Sequence, residues 1–315
     1  MTEPPAGDRR ARAPLGDGHD PRTGVVVITL DRRAEALACL ERLAALPERP
    51  RVVLVDNGSS DGTAEAVRRS HPEVDLVALP HNLGAIGRNI GVGRLSTPYV
   101  AFCDDDTWWE PGSLRRAADL LDAHPRLGLV NARILVEPGG HDDPVVAELR
   151  DSPVAGPRWL PGPAIGSFLA GASVLRHAAF TAVGGFSERL RFAGEEELLA
   201  VDLLTAGWEL CYVEDLLVHH RASAARDPHA RRRAGLRNTL WFTWLRQPVR
   251  KAFRRSLFLL RTVPRDRVSA LAFTDAVRGL PWLVTERRVM PGHLQHRLAD
   301  LYVAQMHSKA RRYVS

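Results

Sequence analysis

The chain is poor in cysteine, lysine and long apolar runs, and each shortage excludes something. Its three cysteines are Cys39, Cys103 and Cys211, with no C-x-x-C pair and no zinc-ligand spacing. A disulfide-stapled or zinc-organised fold is excluded, and buried free thiols of a reducing compartment are expected. Lysine occurs only at Lys251 and Lys309, so nearly all of the 43 basic residues are arginine, the side chain suited to bidentate contact with phosphate and carboxylate. No stretch approaches the ~20 apolar residues that cross a bilayer. Residues 1–22, rich in Pro, Gly, Arg and Asp, hold no secretory core segment and read as a disordered tail. The expected location is the cytoplasm, extending at most to the inner face of the plasma membrane.

What is present is an alternation of buried strands and helices. Val25–Leu30 is β-branched and apolar throughout, as a strand inside a parallel sheet must be. Residues 34–46 follow with helical spacing and stop before Pro47 and Pro50. The alternation continues with a strand at Val52–Val55, a helix over 63–70, a strand at Asp75–Leu79, a helix over 84–95 and a strand at Tyr99–Cys103. This pitch predicts right-handed βαβ units, whose ligands lie at the carboxyl ends of the strands. Three polar loops fall at such ends: Thr29–Arg32, Asp56–Asp61 and Asp104–Thr107. Further on, a helix is predicted over 112–124 and a strand over 127–136. The proline-rich stretch 137–165 is read as irregular, either a functional loop or a disordered insertion. A helix over 195–206 ends at Gly207, and short strands are expected at Trp208–Val213 and Leu216–His219.

Five segments carry chemistry. Asp104-Asp105-Asp106 crowds three carboxylates at a strand end, a charge that a divalent cation would offset; the bland alternative is a solvated acidic turn. Asp56 could accept a hydrogen bond from a nucleobase, although Asp56–Thr63 also reads as a tight turn with a helix cap. Asn82–Gly91 offers small residues for close approach and Arg88 for a diphosphate, or simply close packing with a surface arginine. Glu195-Glu196-Glu197 opens a helix, where acids suit the dipole and a carboxylate in a cleft can act as a general base. His219-His220 ends a strand and could complete a metal shell or be structural.

In this order the segments resemble the family-2 glycosyltransferases of GT-A fold, over about residues 24–225. The family's opening Thr-Tyr-Asn-Arg stands here as Thr29-Leu30-Asp31-Arg32, and its Val-Asp-Asn-Gly-Ser-x-Asp-Gly-Thr is matched by Val55–Thr63. Its Asn-x-Gly and Arg-Asn-x-Gly are matched by Asn82, Gly84, Arg88, Asn89 and Gly91, and its Asp-x-Asp by Asp104–Asp106. Gly184-Gly185-Phe186, the acidic pair Glu195-Glu196 and a strand ending at His219 complete the series. The chain departs at Leu30-Asp31, where the family has Tyr-Asn, and at Glu196, where it often has Asp.

The resemblance implies an α/β fold of GT-A type, with a mainly parallel central sheet flanked by helices and a C-terminal helical extension. It implies a nucleotide-binding half at about 23–110, an acceptor half at about 111–229 and the extension from 230. It further implies inverting transfer of a hexosyl or deoxyhexosyl group from a nucleotide diphosphate sugar to a glycan or lipid-linked acceptor, in cell-envelope glycan, polysaccharide or glycolipid synthesis. Thr29 and Asp56 would hold the nucleobase, with Asp31, Asn57 and Asp105 lining the donor site and Arg88 facing the diphosphate. Asp104 would lie near ribose and metal. Asp106 would bind Mn²⁺ or Mg²⁺ with His219 or, alternatively, His220, and Glu196, alternatively Glu195, would be the base.

Residues 246–315 hold fifteen Lys/Arg against four Asp/Glu, interleaved with aromatic and apolar residues. Residues 230–315 are therefore expected to form basic amphipathic helices, serving either an anionic membrane surface or a lid packed on the catalytic domain. A nucleotidyltransferase would require a glycine-rich basic loop after the first strand, which Leu30-Asp31-Arg32 lacks. Nucleic acid is not expected as a partner, because the basic surplus is confined to this tail.

Overall fold

The computed structural model describes residues 18–221 and 227–307. Four strands, β1 (Thr23–Thr29), β2 (Arg51–Asp56), β3 (Asp75–Ala78) and β4 (Tyr99–Asp104), form the parallel half of one sheet. Val25, Val26, Val27, Val53, Leu54 and Phe102 are fully buried, so both faces of these strands are covered and no polar alternation is needed. Between the strands run α1 (Arg33–Ala44), α2 (Thr63–Ser70) and α3 (Ile86–Val92). Gly91 brings α3 onto the sheet: a Cβ there would collide with the Val26 side chain. The small residues of this segment thus serve helix–strand packing.

The second half of the sheet is mixed. The short strand β5 (Thr107–Trp109) follows the acidic run, then α4 (Ser113–Ala123) and the long β6 (Leu127–Val136). Within the stretch read as irregular lie β7 (His141–Asp142) and α5 (Pro144–Arg150), capped by Asp143, whose carboxylate accepts the Val145 amide. Pro144 is the first residue of that helix, where its missing N–H costs nothing. Then come β8 (Ser173–Arg176), α6 (His177–Ala182), α7 (Glu195–Thr205) and β9 (Glu209–His220). The sheet order is β3-β2-β1-β4-β8-β6-β9-β5, with β7 paired to β6. β8 is antiparallel to both β4 and β6, whereas β6 and β9 are parallel. The two short strands expected at 208–219 are one strand interrupted by a bulge: Val213 pairs with Ala132 and Leu217 with the next residue, Arg133.

Order starts before the first strand. Asp20 is buried and binds Arg22, which also reaches Asp119 of α4 at 2.7 Å. Residues 18–22 therefore belong to the fold, a correction to the tail expected over 1–22. The remainder of that tail, 1–17, lies outside the described residues. All three cysteines are free and buried.

The C-terminal region is helical, with α8 (Pro228–Arg246), α9 (Val249–Thr262), α10 (Arg267–Arg278), α11 (Leu280–Glu286), α12 (Gly292–Arg297) and α13 (Ala299–His307). Leu236, Leu240, Phe242 and Leu245 of α8 share one apolar core with the strands. Polar ties accompany them. Arg246 grips Asp202 of α7 at 2.6 and 2.8 Å, and Arg297 pairs with Glu209. The buried Asn238 amide donates to the carbonyls of Phe192 and Ala193 at 2.8 and 2.7 Å, just ahead of α7. Asn238→Ala leaves both carbonyls without that donor, and the expected cost is about 2–3 kcal/mol of stability. Urea denaturation with an unchanged m-value is the measurement that checks it.

Candidate active site

The ladder register builds the site. Thr29 pairs with Asp56 and Ile28 with Asp104, so the carboxyl ends of β1, β2 and β4 finish level. Asp56 is buried, and its Oδ1 accepts the Ser59 amide at 2.8 Å. Asn57 holds the next loop, accepting the Leu83 amide at 3.2 Å. Asp31, with a φ of 50°, accepts from the Ser60 amide at 2.6 Å and so ties the first loop to the second. Asp61 accepts amides from Arg33 and Thr63, the first residues of α1 and α2. Asp31, Asn57 and Asp61 thus fix the loops at the carboxyl ends of β1 and β2.

The three aspartates take separate partners. Asp104 is the open one, with one oxygen 2.5 Å from Nη2 of Arg88. Asp105 is buried, accepts the Thr29 hydroxyl at 2.8 Å and pairs with Arg32 at 2.9 Å. Asp106, also buried, shares that Arg32 nitrogen at 3.2 Å. Burial pushes the Asp105 carboxyl up to about 6, against the pull of Arg32 and Thr29.

Arg88 is buried and is not the surface arginine of the packing alternative. Only 6% exposed, it lies near the rings of Phe102 and Phe186. Burial opposes its charge, but Asp104, Glu195 and Glu196 more than offset this and hold its pKa above the ordinary value. It serves as counter-ion to carboxylates from two distant parts of the chain.

Those parts meet at residues 170–171. The Ala170 amide donates to Oε1 of Glu196 at 3.1 Å. A Cβ added at the neighbouring Gly171 would lie 2.8 Å from Oδ2 of Asp104, so only glycine lets the backbone come this close. Glu196 is half-buried while Glu195 is enclosed. Burial, reinforced by the charge of Glu196, pushes the Glu195 carboxyl up to about 8. Glu196 is the more open carboxyl of the pair and the one tied to the Ala170 amide, which makes it the candidate base.

The histidines face opposite ways, as successive strand residues do. His219 is stacked on Trp108, and its two nitrogens bond Glu137 at 2.9 Å and Glu110 at 2.8 Å. This corrects its expected place beside the aspartates. His220 takes that place, its Nε2 3.8 Å from Oδ1 of Asp106. Two ligand bonds of about 2.1 Å each can span that gap, and one carboxylate with one imidazole suits an ion that takes further oxygens from substrate phosphates. Among the described residues, no three His, Cys, Asp or Glu side chains form a closed cage of their own.

Arg32 and the 170–171 backbone have no counterpart among the residues singled out from sequence. The signal for Arg32 was available: a triple carboxylate needs a cation, and this arginine ends the first polar loop. The backbone at 170–171 carries no side-chain signature at all.

The raised Glu195 carboxyl has a consequence for stability. Between about 4.5 and about 8 the folded chain keeps a proton that the unfolded chain releases, so this group makes stability fall as pH rises through that window. Glu195→Gln removes the effect. The melting temperature of the variant minus that of the parent is expected to grow from pH 5 to pH 8 and then level off, as thermal unfolding across pH would read.

Comparison with known proteins agrees with this geometry. The profile of "Glycosyl transferase family 2" matches residues 24–180. The chain is 31% identical over 276 residues to the N-acetylglucosaminyl-diphospho-decaprenol L-rhamnosyltransferase of Mycobacterium tuberculosis, covering 75% of this chain and 90% of that one. Among solved structures it is similar to the mannosyltransferase PcManGT of Pyrobaculum calidifontis, in complex with GDP-Man and Mn²⁺. That match has a TM-score of 0.56 at 20% identity and covers 91% of this chain and 77% of that one. GalNAc-T7 with UDP, GalNAc and Mn²⁺ matches with a TM-score of 0.59 at 13% identity, covering 84% and 56% respectively. At such identities these structures speak for the GT-A fold alone, but with the mycobacterial relative and the ordered carboxylate segments they leave one assignment: this chain belongs to glycosyl transferase family 2.

Proposed function

We propose that this glycosyltransferase moves a hexosyl or deoxyhexosyl group, with inversion, from a nucleotide diphosphate sugar to a hydroxyl of a lipid-linked glycan acceptor. One observation carries the reading: Glu196, 92 positions after Asp104 in the chain, is brought beside it by the 170–171 backbone. The mycobacterial relative is named for rhamnosyl transfer to a diphospho-decaprenol-linked sugar, which supports a rhamnosyl donor and a polyprenyl-linked acceptor. The named ligands of the structural neighbours, a nucleotide sugar or nucleotide together with Mn²⁺, support the donor class and the ion.

In this reading Thr29 and Asp56 border the nucleoside, and Asp104 stands at the open edge between ribose and sugar. Glu196 takes the proton of the acceptor hydroxyl as its oxygen attacks the anomeric carbon. The bond from that carbon to the diphosphate breaks on the opposite face, and the nucleoside diphosphate leaves with the electron pair. Holding donor and acceptor in line supplies much of the rate. Mn²⁺ or Mg²⁺ would be held by Asp106 and His220, with Asp104 alongside. When bound, it offsets the charge that builds on the departing diphosphate. Arg88 pairs with Asp104 and places its positive charge near the two glutamates.

Glu196→Gln is expected to fold and bind donor while losing about 100-fold to 10,000-fold in kcat. Near-normal turnover would remove Glu196 from its role. The histidines give a second test, read by calorimetric titration of Mn²⁺ with a nucleoside diphosphate present. His220→Ala should weaken ion binding by about tenfold or more, and His219→Ala should leave it unchanged. A panel of nucleotide diphosphate sugars, rhamnosyl donors included, scored by Mn²⁺-dependent thermal stabilisation, identifies the donor.

A further inference from the structure

α9 differs from every other long helix of the chain. Its 14 residues bury Ala252 and Leu259 and leave most of the remainder open. Ala252 and Leu259, seven apart, mark the side turned to the body, and Ser256 between them accepts a hydrogen bond from Trp244 of α8 at 3.0 Å. Beside that seam runs an apolar stripe. Val249, Phe253, Leu257 and Leu260 are spaced by four, four and three residues, and therefore share a face. Val249 is 60%, Phe253 62% and Leu260 58% exposed. The next stripe is cationic, with Arg250, Arg254 and Arg261 at the same helical spacing.

The helix carries five basic residues, including Lys251 and Arg255, and no acidic one. Among the described residues Arg250, Lys251, Arg254 and Arg261 have no carboxylate partner, whereas Arg232, Arg233, Arg246 and Arg297 in the neighbouring helices each have one. A cytosol-facing helix has no cause to expose Phe and Leu beside a row of unpaired arginines. A surface whose interior is apolar and whose outer layer is anionic accounts for both stripes. At 14 residues the helix lies along such a surface, and no helix among the described residues is long and apolar enough to cross one.

We infer that α9 is the element that docks this enzyme on an anionic lipid bilayer, with Val249, Phe253, Leu257 and Leu260 inserted at the headgroup level and Arg250, Arg254 and Arg261 on lipid phosphates. The other helices of the extension share the work differently: α8 is packed into the core and holds the loop before α7, and it hands the chain directly to α9. Docking through α9 therefore sets the catalytic cleft at a fixed height above the bilayer. The binding surface is read from α9 itself, while its purpose rests on the lipid-linked acceptor proposed above.

The test is co-sedimentation of the full chain with vesicles of phosphatidylcholine alone and of equal parts phosphatidylcholine and phosphatidylglycerol. Binding is expected to the anionic vesicles and to weaken with added salt. Arg250→Gln/Arg254→Gln/Arg261→Gln should partition on the order of 100-fold more weakly. Phe253→Ser/Leu260→Ser should lose the fraction that survives high salt. Both variants alter exposed side chains, so an unchanged melting temperature certifies their fold. The inference is overturned by equal binding to both vesicle types, by variants that sediment like the parent, or by a parent that self-associates through this face and dissociates in the Ser variant. These readouts need no turnover, so an inactive enzyme that still sediments would count against the proposed function and not against the docking surface.

Discussion

Carboxylates brought together from opposite ends of the catalytic region can stay charged only if cations are built in beneath them, and the architecture follows from that requirement. Arg88 and Arg32 meet it from two sides. Arg88 is enclosed near Phe102 and Phe186 and serves Asp104 with the glutamates of α7, while Arg32 lies on the first loop and serves Asp105 and Asp106. Where the cations run short, a proton substitutes: burial and the neighbouring charge of Glu196 favour the neutral form of Glu195. The helix start is the favourable place for such acids, because its free N–H groups add positive potential. Sheet register, the close approach at Gly171 and the loop ties made by Asp31 and Asn57 all serve to keep these charges at fixed distances.

Much of this was legible in the sequence, and the part that was not has a physical reason. The parallel strands were plain because Val25–Val27 and Val53–Val55 are buried on both faces, and only continuous apolar runs satisfy that. The aspartates were plain because they follow a strand directly. The carboxylate partners of Arg88 were not legible, because they lie at positions 104 and 195–196, beyond any local pattern. The choice between His219 and His220 depends on which face each presents, and the bulge after Val213 resets that parity without leaving a mark in composition. α5 escaped because a seven-residue helix beginning with proline resembles the loop around it.

Charge and composition left a lid and a membrane surface as alternatives for the whole C-terminal segment. Packing separates its helices, with α8 built into the core and α9 largely exposed. α8 belongs to the enzyme's core and positions the residues ahead of α7. α9 turns its apolar stripe away from that core. Among the described residues, the basic tail therefore contains one helix in which Arg232, Arg233 and Arg246 pair with carboxylates and one in which Arg250, Arg254 and Arg261 do not.

The position of β8 in the sheet has a consequence for how the chain is made. Residues 173–176 fill the gap between β4 and β6, strands that leave the ribosome much earlier. Until they arrive, the nascent parallel half ends in β4, apolar along most of its length and with an open hydrogen-bonding edge, the kind of edge that recruits other chains. The central joint of the sheet can close only after residue 176 has been synthesised. A premature stop before that point would leave a four-stranded sheet with this sticky margin, so the molecule should depend on chaperones during translation more than its finished form suggests.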